Sequence, residues 1–246
     1  MNHKFKKFIK KIIPDSILLL RIKFINKKWG VKNKNLKELF SSIYLNNLWN
    51  TENQSNDTFY SGIGSRDKDT ISQYQNKIKD FFKSLKYELK VLDLGCGNGF
   101  YTLELARRVG PEGTVYAVDI QPQMLRLLVT RARQEKLFNI QPILGTFIDP
   151  RLPEGDVDLV FCVDVYHEFS HPEMMLKRIR ESLSDSGQIV LAEFRGEDAT
   201  VPIKPLHKMT KLQVKKELEP NGFVLEREFD KLPWQHLMFF GVQNEE

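Results

Sequence analysis

The chain has 246 residues, of which 41% are hydrophobic and 28% charged, and a net charge of +5. It is long enough to bury a full α/β core and ordinary in composition for a soluble protein, and it contains no run of about 20 apolar residues that would span a bilayer. Two cysteines, Cys96 and Cys162, exclude a disulfide framework and indicate a reducing, cytoplasmic setting. The charge is unevenly divided. Residues 1–90 carry 19 Lys and Arg against 8 Asp and Glu, whereas residues 91–246 carry 18 against 24. This places a boundary near residue 90, between a basic extension (1–89) and an acidic domain (90–246), and gives the extension the task of meeting any anionic surface.

In chain order, Phe5, Phe8, Ile9, Ile12 and Ile13 recur at helical spacing, with Lys4, Lys6, Lys7, Lys10 and Lys11 between them. Pro14 ends this segment, and a second apolar helix with basic flanks is expected over 17–25. Basic amphipathic helices of this kind lie in anionic membrane interfaces, so residues 4–28 are a candidate membrane contact. The alternative is that their apolar faces pack on the domain. No nucleic-acid motif accompanies the charge, and none is expected as a partner. Helix continues over 36–49, a polar loop over 50–58 follows, and a further helix is expected over about 70–85. Between them lies Phe59-Tyr60-Ser61-Gly62-Ile63-Gly64-Ser65, where Tyr60, Ser61, Gly62 and Gly64 are candidate lid residues or a plain surface turn.

Residues 90–99 read Lys-Val-Leu-Asp-Leu-Gly-Cys-Gly-Asn-Gly. The apolar run predicts a buried strand. The glycines then permit a turn with positive φ and close approach of a ligand, and Phe100–Val109 predicts a helix. Val115–Asp119 is a second buried strand that ends in an acid suited to a ribose hydroxyl pair. The spacing Gly-x-Gly-x-Gly departs from the Gly-x-Gly-x-x-Gly of pyrophosphate-binding turns. With Asp93 before it and Asp119 after it, the string resembles motif I of the class I S-adenosylmethionine (SAM)-dependent methyltransferases. That resemblance implies SAM as cofactor, with Asp93, Gly95, Cys96, Gly97, Gly99, Asp119 and Ile120 around it. Thr146, Phe147 and Val163 complete the implied cofactor set. Thr146 stands where the family often places an acid for the adenine amine, which puts that contact in doubt.

Strands at 140–144, 157–163 and 188–194 alternate with helices at 122–136, 172–183 and 210–220, which means a parallel sheet. Strands at 223–229 and 235–242 flank a short connection and form an antiparallel hairpin. The expected fold is therefore α/β: a Rossmann-like, seven-stranded, mostly parallel sheet with a C-terminal antiparallel hairpin and an N-terminal helical extension. Residues 91–246 resemble uncharacterised bacterial methyltransferases distantly like the quinone-methylating enzymes. Residues 40–99 resemble methyltransferases of surface-glycan loci.

In open α/β sheets ligands lie beyond the carboxyl ends of the strands. After the fourth strand come Asp164, Tyr166 and His167, the best catalytic candidates, with His167 suited to act as a general base near neutral pH. A histidine held for structural reasons is the competing reading. Residues 167–171 match His-Glu-x-x-His. That metalloprotease chemistry needs both histidines one turn apart on a helix, and Pro172 instead marks a helix start. No residue is assigned to a metal. Glu193, Arg195, His207, Trp234 and His236 are further candidates for an acceptor pocket, the long stretch 193–210 being a loop of the length that functional loops have. The expected function is SAM-dependent methyl transfer to a small-molecule or lipid- or glycan-like acceptor. The alternatives are a non-catalytic SAM-binding protein and a nicotinamide-dependent oxidoreductase.

Overall fold

A computed structural model describes residues 75–243 apart from Lys79. The basic helices of residues 4–28, the helix at 36–49 and the candidate lid residues Tyr60, Ser61, Gly62 and Gly64 lie outside the described residues. Residues 75–82 are helical where described. The strands are β1 (Lys90–Leu94), β2 (Thr114–Asp119), β3 (Ile140–Leu144), β4 (Val157–Val163), β5 (Leu183–Arg195), β6 (Lys208–Met209), β7 (Phe223–Phe229) and β8 (Gln235–Val242). The helices are α1 (Phe100–Val109), α2 (Pro122–Gln134), α3 (Pro172–Ser182) and α4 (Lys211–Leu218).

One sheet runs in the order β3-β2-β1-β4-β5-β8-β7, and β6 adds to the end of β5. The pairs from β3 to β5 are parallel, and β8 is antiparallel to both β5 and β7. Chain order moves outward from β1 to β3 and then returns to β4 on the other side of β1. The crevice at the carboxyl ends of β1 and β4 is thus the topological switch point. Strands β1, β2 and β4 are apolar on both sides because helices cover both faces. β3 is the edge strand, which explains how it tolerates Pro142.

Val91, Val115, Leu159, Phe161, Val190 and Phe239 point to the face covered by α1 and residues 78–85. Leu92, Val118, Val160, Leu191 and Met238 point to the other face, where Leu176 and Ile179 of α3 and Val214 and Leu218 of α4 meet them. The parallel sheet with its antiparallel end matches the expected architecture. Several boundaries differ, α4 among them, which spans Lys211–Leu218 rather than 210–220. α2 stops at Gln134 because Lys136 turns into the left-handed region at φ 56°. α3 stops at Ser182 because Leu183 is extended and pairs with Val157, which also starts β5 early. β6 lies inside the stretch read as irregular, and its two residues pair Phe194 with Lys208 and Arg195 with Met209.

Phe82 is 2% exposed, and its ring meets that of the fully buried Phe161 edge-on with centroids 4.9 Å apart. Phe82→Ala should therefore destabilise the protein by about 3–5 kcal/mol. Denaturant unfolding measures this, and a loss below about 1 kcal/mol would mean that the segment contributes nothing to the core.

Candidate functional site

The turn after β1 lies at the switch point. Gly95 and Cys96 donate their N–H groups to Val118 O at 2.9 and 3.0 Å, which ties the turn to the end of β2. Two of its glycines are required twice over. At Gly95 (φ 75°) an added Cβ would lie 2.4 Å from Val165 Cγ2, and at Gly99 (φ 88°) it would lie 2.3 Å from Leu128 Cδ1. The turn is thus pressed by the segment after β4 on one side and by α2 on the other. Gly97 also has positive φ, but an added Cβ would meet nothing within 4 Å. The middle of the turn therefore faces open space.

Asp119 ends β2 beneath that space. Its Oδ2 accepts from Gly97 N at 2.9 Å and its Oδ1 from Gln121 N at 2.7 Å. Burial raises its carboxyl above the usual range, and these backbone donors oppose the rise. Asp93 is buried beneath the turn, and Thr102 Oγ1 donates to its Oδ2 at 2.6 Å. Desolvation pushes Asp93 up to about 7, with the hydrogen bond to Thr102 only partly offsetting it. Arg131 of α2 braces the turn from outside, donating to Asn98 O at 2.8 Å and to Asn98 Oδ1 at 3.0 Å. An open glycine turn above a buried carboxylate with spare lone pairs fits a ribose-bearing ligand without an anion cradle. Cys96 is a buried thiol pushed well up by desolvation, so it contributes packing rather than a thiolate. Ile120 follows Asp119 and is half-buried. At the end of β3, Thr146 Oγ1 donates to Asp149 O at 3.1 Å, closing a local turn beside the half-buried Phe147.

The segment after β4 begins at the half-buried Val163 and turns at once. Asp164 adopts φ 51°, and its N–H bonds Ala192 O at 2.8 Å. Strained non-glycine positions of this kind concentrate at functional sites. Tyr166–Glu168 forms a single 3-10 turn, which the end of β5 organises. The fully buried Glu193 accepts from Tyr166 N at 2.8 Å and from His167 N at 3.4 Å through Oε1, and its Oε2 lies 2.6 Å from His167 Nδ1. Tyr166 OH donates to Glu217 Oε2 of α4 at 3.0 Å. On the far side of the ring, His167 Nε2 lies 3.3 Å from His207 Nδ1 and 3.4 Å from Glu168 Oε1. Burial alone would lower the His167 pKa. The charge of Glu193 and hydrogen bonds to Glu168 and Glu193 overcome this and raise it to about 10.

Of the further candidates, His207 joins this cluster from the 3-10 turn Pro205–His207. His236 is paired across the strands with Glu193 and is fully buried, and burial keeps its pKa below the usual value. Trp234 is half-buried and packs in the apolar cluster on the opposite face of the sheet. Arg195 serves the hairpin instead, donating to Asp230 O, Leu232 O and Pro233 O at 2.7, 2.6 and 3.1 Å. His171 stands at the start of α3 with Ser170 Oγ at 3.0 Å from its Nδ1. The two histidines of the His-Glu-x-x-His string are therefore not on one helix, and the protease reading fails. Two residues went unassigned in the sequence, Arg131 and Glu168. Arg131 leaves no signal there, whereas Glu168 sits in the motif that was set aside.

A family model described as a methyltransferase domain matches residues 85–237. The demethylmenaquinone methyltransferase of Lactococcus lactis subsp. lactis is 28% identical over 120 residues, which is 49% of this chain and 46% of that protein. The O-antigen chain terminator bifunctional methyltransferase/kinase WbdD of Escherichia coli is 30% identical over 125 residues, 49% of this chain and 17% of that protein. The chain thus spans about half, or less, of the length of these curated relatives. The crystal structure of a SAM-dependent methyltransferase from Aquifex aeolicus superposes with a TM-score of 0.65 at 24% identity, over 72% of this chain and 94% of that one, and shows the shared fold. With the family model covering well over half of its length, and the glycine turn and Asp119 at the switch point of the same fold, the chain belongs to the class I SAM-dependent methyltransferases.

Proposed function

We propose that the protein transfers the methyl group of SAM to a hydroxyl or carbon acid on a small-molecule or lipid- or glycan-like acceptor. One observation carries this reading: Val165 packs on Gly95, so the polar turn Asp164–Glu168 stands directly beside the glycine turn. Bound SAM supplies an activated methyl group on a sulfonium. The protein has then to place the acceptor in line with it, exclude water and deal with the acceptor's proton. Gly95, Gly97 and Gly99 would admit the cofactor, Asp119 would hold its ribose, and Cys96, Ile120, Thr146, Phe147 and Val163 would line its remaining edge. Asp164 and Tyr166 shape the acceptor side. His167, braced through Nδ1 by Glu193, would make the acceptor nucleophilic through Nε2; with its pKa raised to about 10 rather than poised near neutral pH, the active form free of the Nε2 proton grows as pH rises toward that value.

The named relatives act on a demethylmenaquinone and on an O-antigen chain, which supports acceptors of those two chemistries as the first to test. We place the protein in the cytoplasm and assign residues 4–28, on their basic amphipathic pattern, to an anionic membrane surface. Among the described residues no helix is long and apolar enough to cross a membrane.

Asp119→Ala should weaken SAM by about tenfold or more, since it removes charge-assisted hydrogen bonds worth roughly 1.5–3 kcal/mol. Calorimetric titration measures this, with unchanged affinity counting against the ribose role. His167→Asn should lower turnover about 10²–10⁴-fold on a quinol or glycan acceptor while leaving SAM affinity intact. Binding of NADH, or SAM binding without turnover in a broad acceptor screen, would favour the oxidoreductase or the non-catalytic alternative.

The pH dependence of SAM binding follows from Asp93. In the cofactor-free protein its carboxyl stays protonated up to about pH 7, and the ammonium and sulfonium of SAM favour the ionised form. Binding below that pH therefore releases a proton, and affinity should rise with pH by up to about tenfold per unit before levelling off above 7. Asp93→Asn should flatten the profile. Calorimetry across pH 5.5–8 in buffers of different ionisation enthalpy reads both the affinity and the proton.

A further inference from the structure

The geometry points to a divalent transition-metal site formed by His167 Nε2, Glu168 Oε1 and His207 Nδ1. These three atoms form a triangle with sides of 3.3, 3.4 and 3.8 Å. A tetrahedral ion bound by nitrogen and oxygen at about 2.0–2.2 Å separates its ligand atoms by roughly 3.3–3.5 Å. Two sides of the triangle already match one face of such a shell, and the third, between Glu168 and His207, would close by a few tenths of an ångström around an ion. Two imidazoles and one carboxylate are a donor set suited to zinc, iron, cobalt or manganese in the divalent state and ill suited to calcium or magnesium.

Three further features agree with this assignment. First, Glu193 Oε2 lies 2.6 Å from His167 Nδ1. This is the carboxylate–histidine arrangement that fixes a ligating ring and leaves Nε2 aimed at a metal. Glu193 is itself held by the backbone of Tyr166 and His167, so ring orientation does not depend on the ion. Second, charge favours a cation. The carboxylates of Glu168 and Glu193 stand on either side of the His167 ring, and a divalent ion between the three donor atoms would meet the negative charge gathered there. Third, the ligands remain reachable, with side chains of His167, Glu168 and His207 exposed by 6, 20 and 11%. The described residues supply three ligands to this point, which is the number a catalytic site uses when it keeps a coordination position open.

The role given to this ion rests on the proposed methyltransferase reading. Its open position would face the acceptor side of Asp164–Glu168, where it would hold an acceptor oxygen and lower that oxygen's pKa. His167 is then a ligand in the loaded enzyme rather than a bare base. The loop that carries His207 becomes part of the acceptor site through the metal it helps to hold.

The test is titration of the full chain, stripped by chelator, with Zn²⁺ by calorimetry and with Co²⁺ by visible absorption, alongside SAM binding and methyl transfer. The expected result is one ion per chain and a Co²⁺ spectrum of low coordination number. Glu168→Gln and His207→Ala should each weaken Zn²⁺ by about 100-fold or more, and Glu193→Gln by about 10–100-fold. Circular dichroism and the melting temperature of the stripped variants identify any that has merely lost its fold. Glu168, the most exposed of the three, provides the variant least exposed to that failure. No saturable binding, or binding unchanged in both Glu168→Gln and His207→Ala, overturns the site. Methyl transfer that proceeds in the stripped enzyme and is lost in His167→Asn overturns the ion's role in the reaction and leaves the methyltransferase reading standing. An ion bound by these residues in a protein that methylates nothing keeps the site and overturns the methyltransferase reading together with the ion's role in it.

Discussion

The functional end of this molecule depends on one buried charge. Glu193 lies at the end of β5 with its side chain fully removed from solvent, where an unpaired carboxylate would be prohibitively costly. Its hydrogen-bonding capacity is met by the turn after β4: two backbone N–H groups on one oxygen and the imidazole Nδ1 on the other. The arrangement works in both directions. The turn satisfies the charge, and the charge dictates where Tyr166 and His167 stand and which ring nitrogen faces outward. Side chains from the ends of two consecutive strands, β4 and β5, thereby become a rigid unit on which Glu168 and His207 converge.

That unit lies beside the glycine turn because of a second constraint, which is steric rather than electrostatic. Val165 fills the volume that a side chain at Gly95 would occupy, and Leu128 does the same at Gly99. The turn therefore cannot shift toward either neighbour, and its free volume is confined to the side of Gly97. The two constraints share the segment 163–168. Val165 faces the turn, while Tyr166 and His167 answer to Glu193. Cofactor and acceptor sides are thus coupled through these six residues of backbone rather than through a flexible loop.

The strands, the helices and the hairpin were legible in the sequence because each is long enough to carry its period. The seven residues 188–194 of β5 or the ten of α1 display it, whereas the first residues of β5 and the two residues of β6 display nothing. The site divides along the same line. The glycine turn and Asp119 announce themselves because a whole βαβ unit surrounds them at fixed spacing. The cluster at His167 does not, since His207 lies 40 residues away and reaches it only through the path of the stretch 196–207. One clue was present: Glu193 interrupts the run Ile189-Val190-Leu191-Ala192-Glu193-Phe194, and an acid inside a buried strand needs a partner of high value. Composition was silent on another point. Ile78, Phe82 and Leu85 come from the basic part of the chain and still belong to the buried core, because net charge describes surfaces and burial follows apolar spacing.

The His-Glu-x-x-His string shows why a spacing argument needs a structural frame. In a metalloprotease the two histidines converge because a helix returns them to one face. Here the same five residues run through a 3-10 turn and a bend before Pro172, and the helix that would unite His167 with His171 does not form. Rejecting the motif on those grounds is sound for His171 and leaves His167 and Glu168 unexplained. Adjacent residues in a 3-10 turn normally diverge, but their side chains fold toward one point, and the second imidazole at that point comes from another loop. Ligand sets assembled this way have no sequence spacing to read, and they are recognised only by the distances among their donor atoms and by a carboxylate such as Glu193 holding one of them from behind.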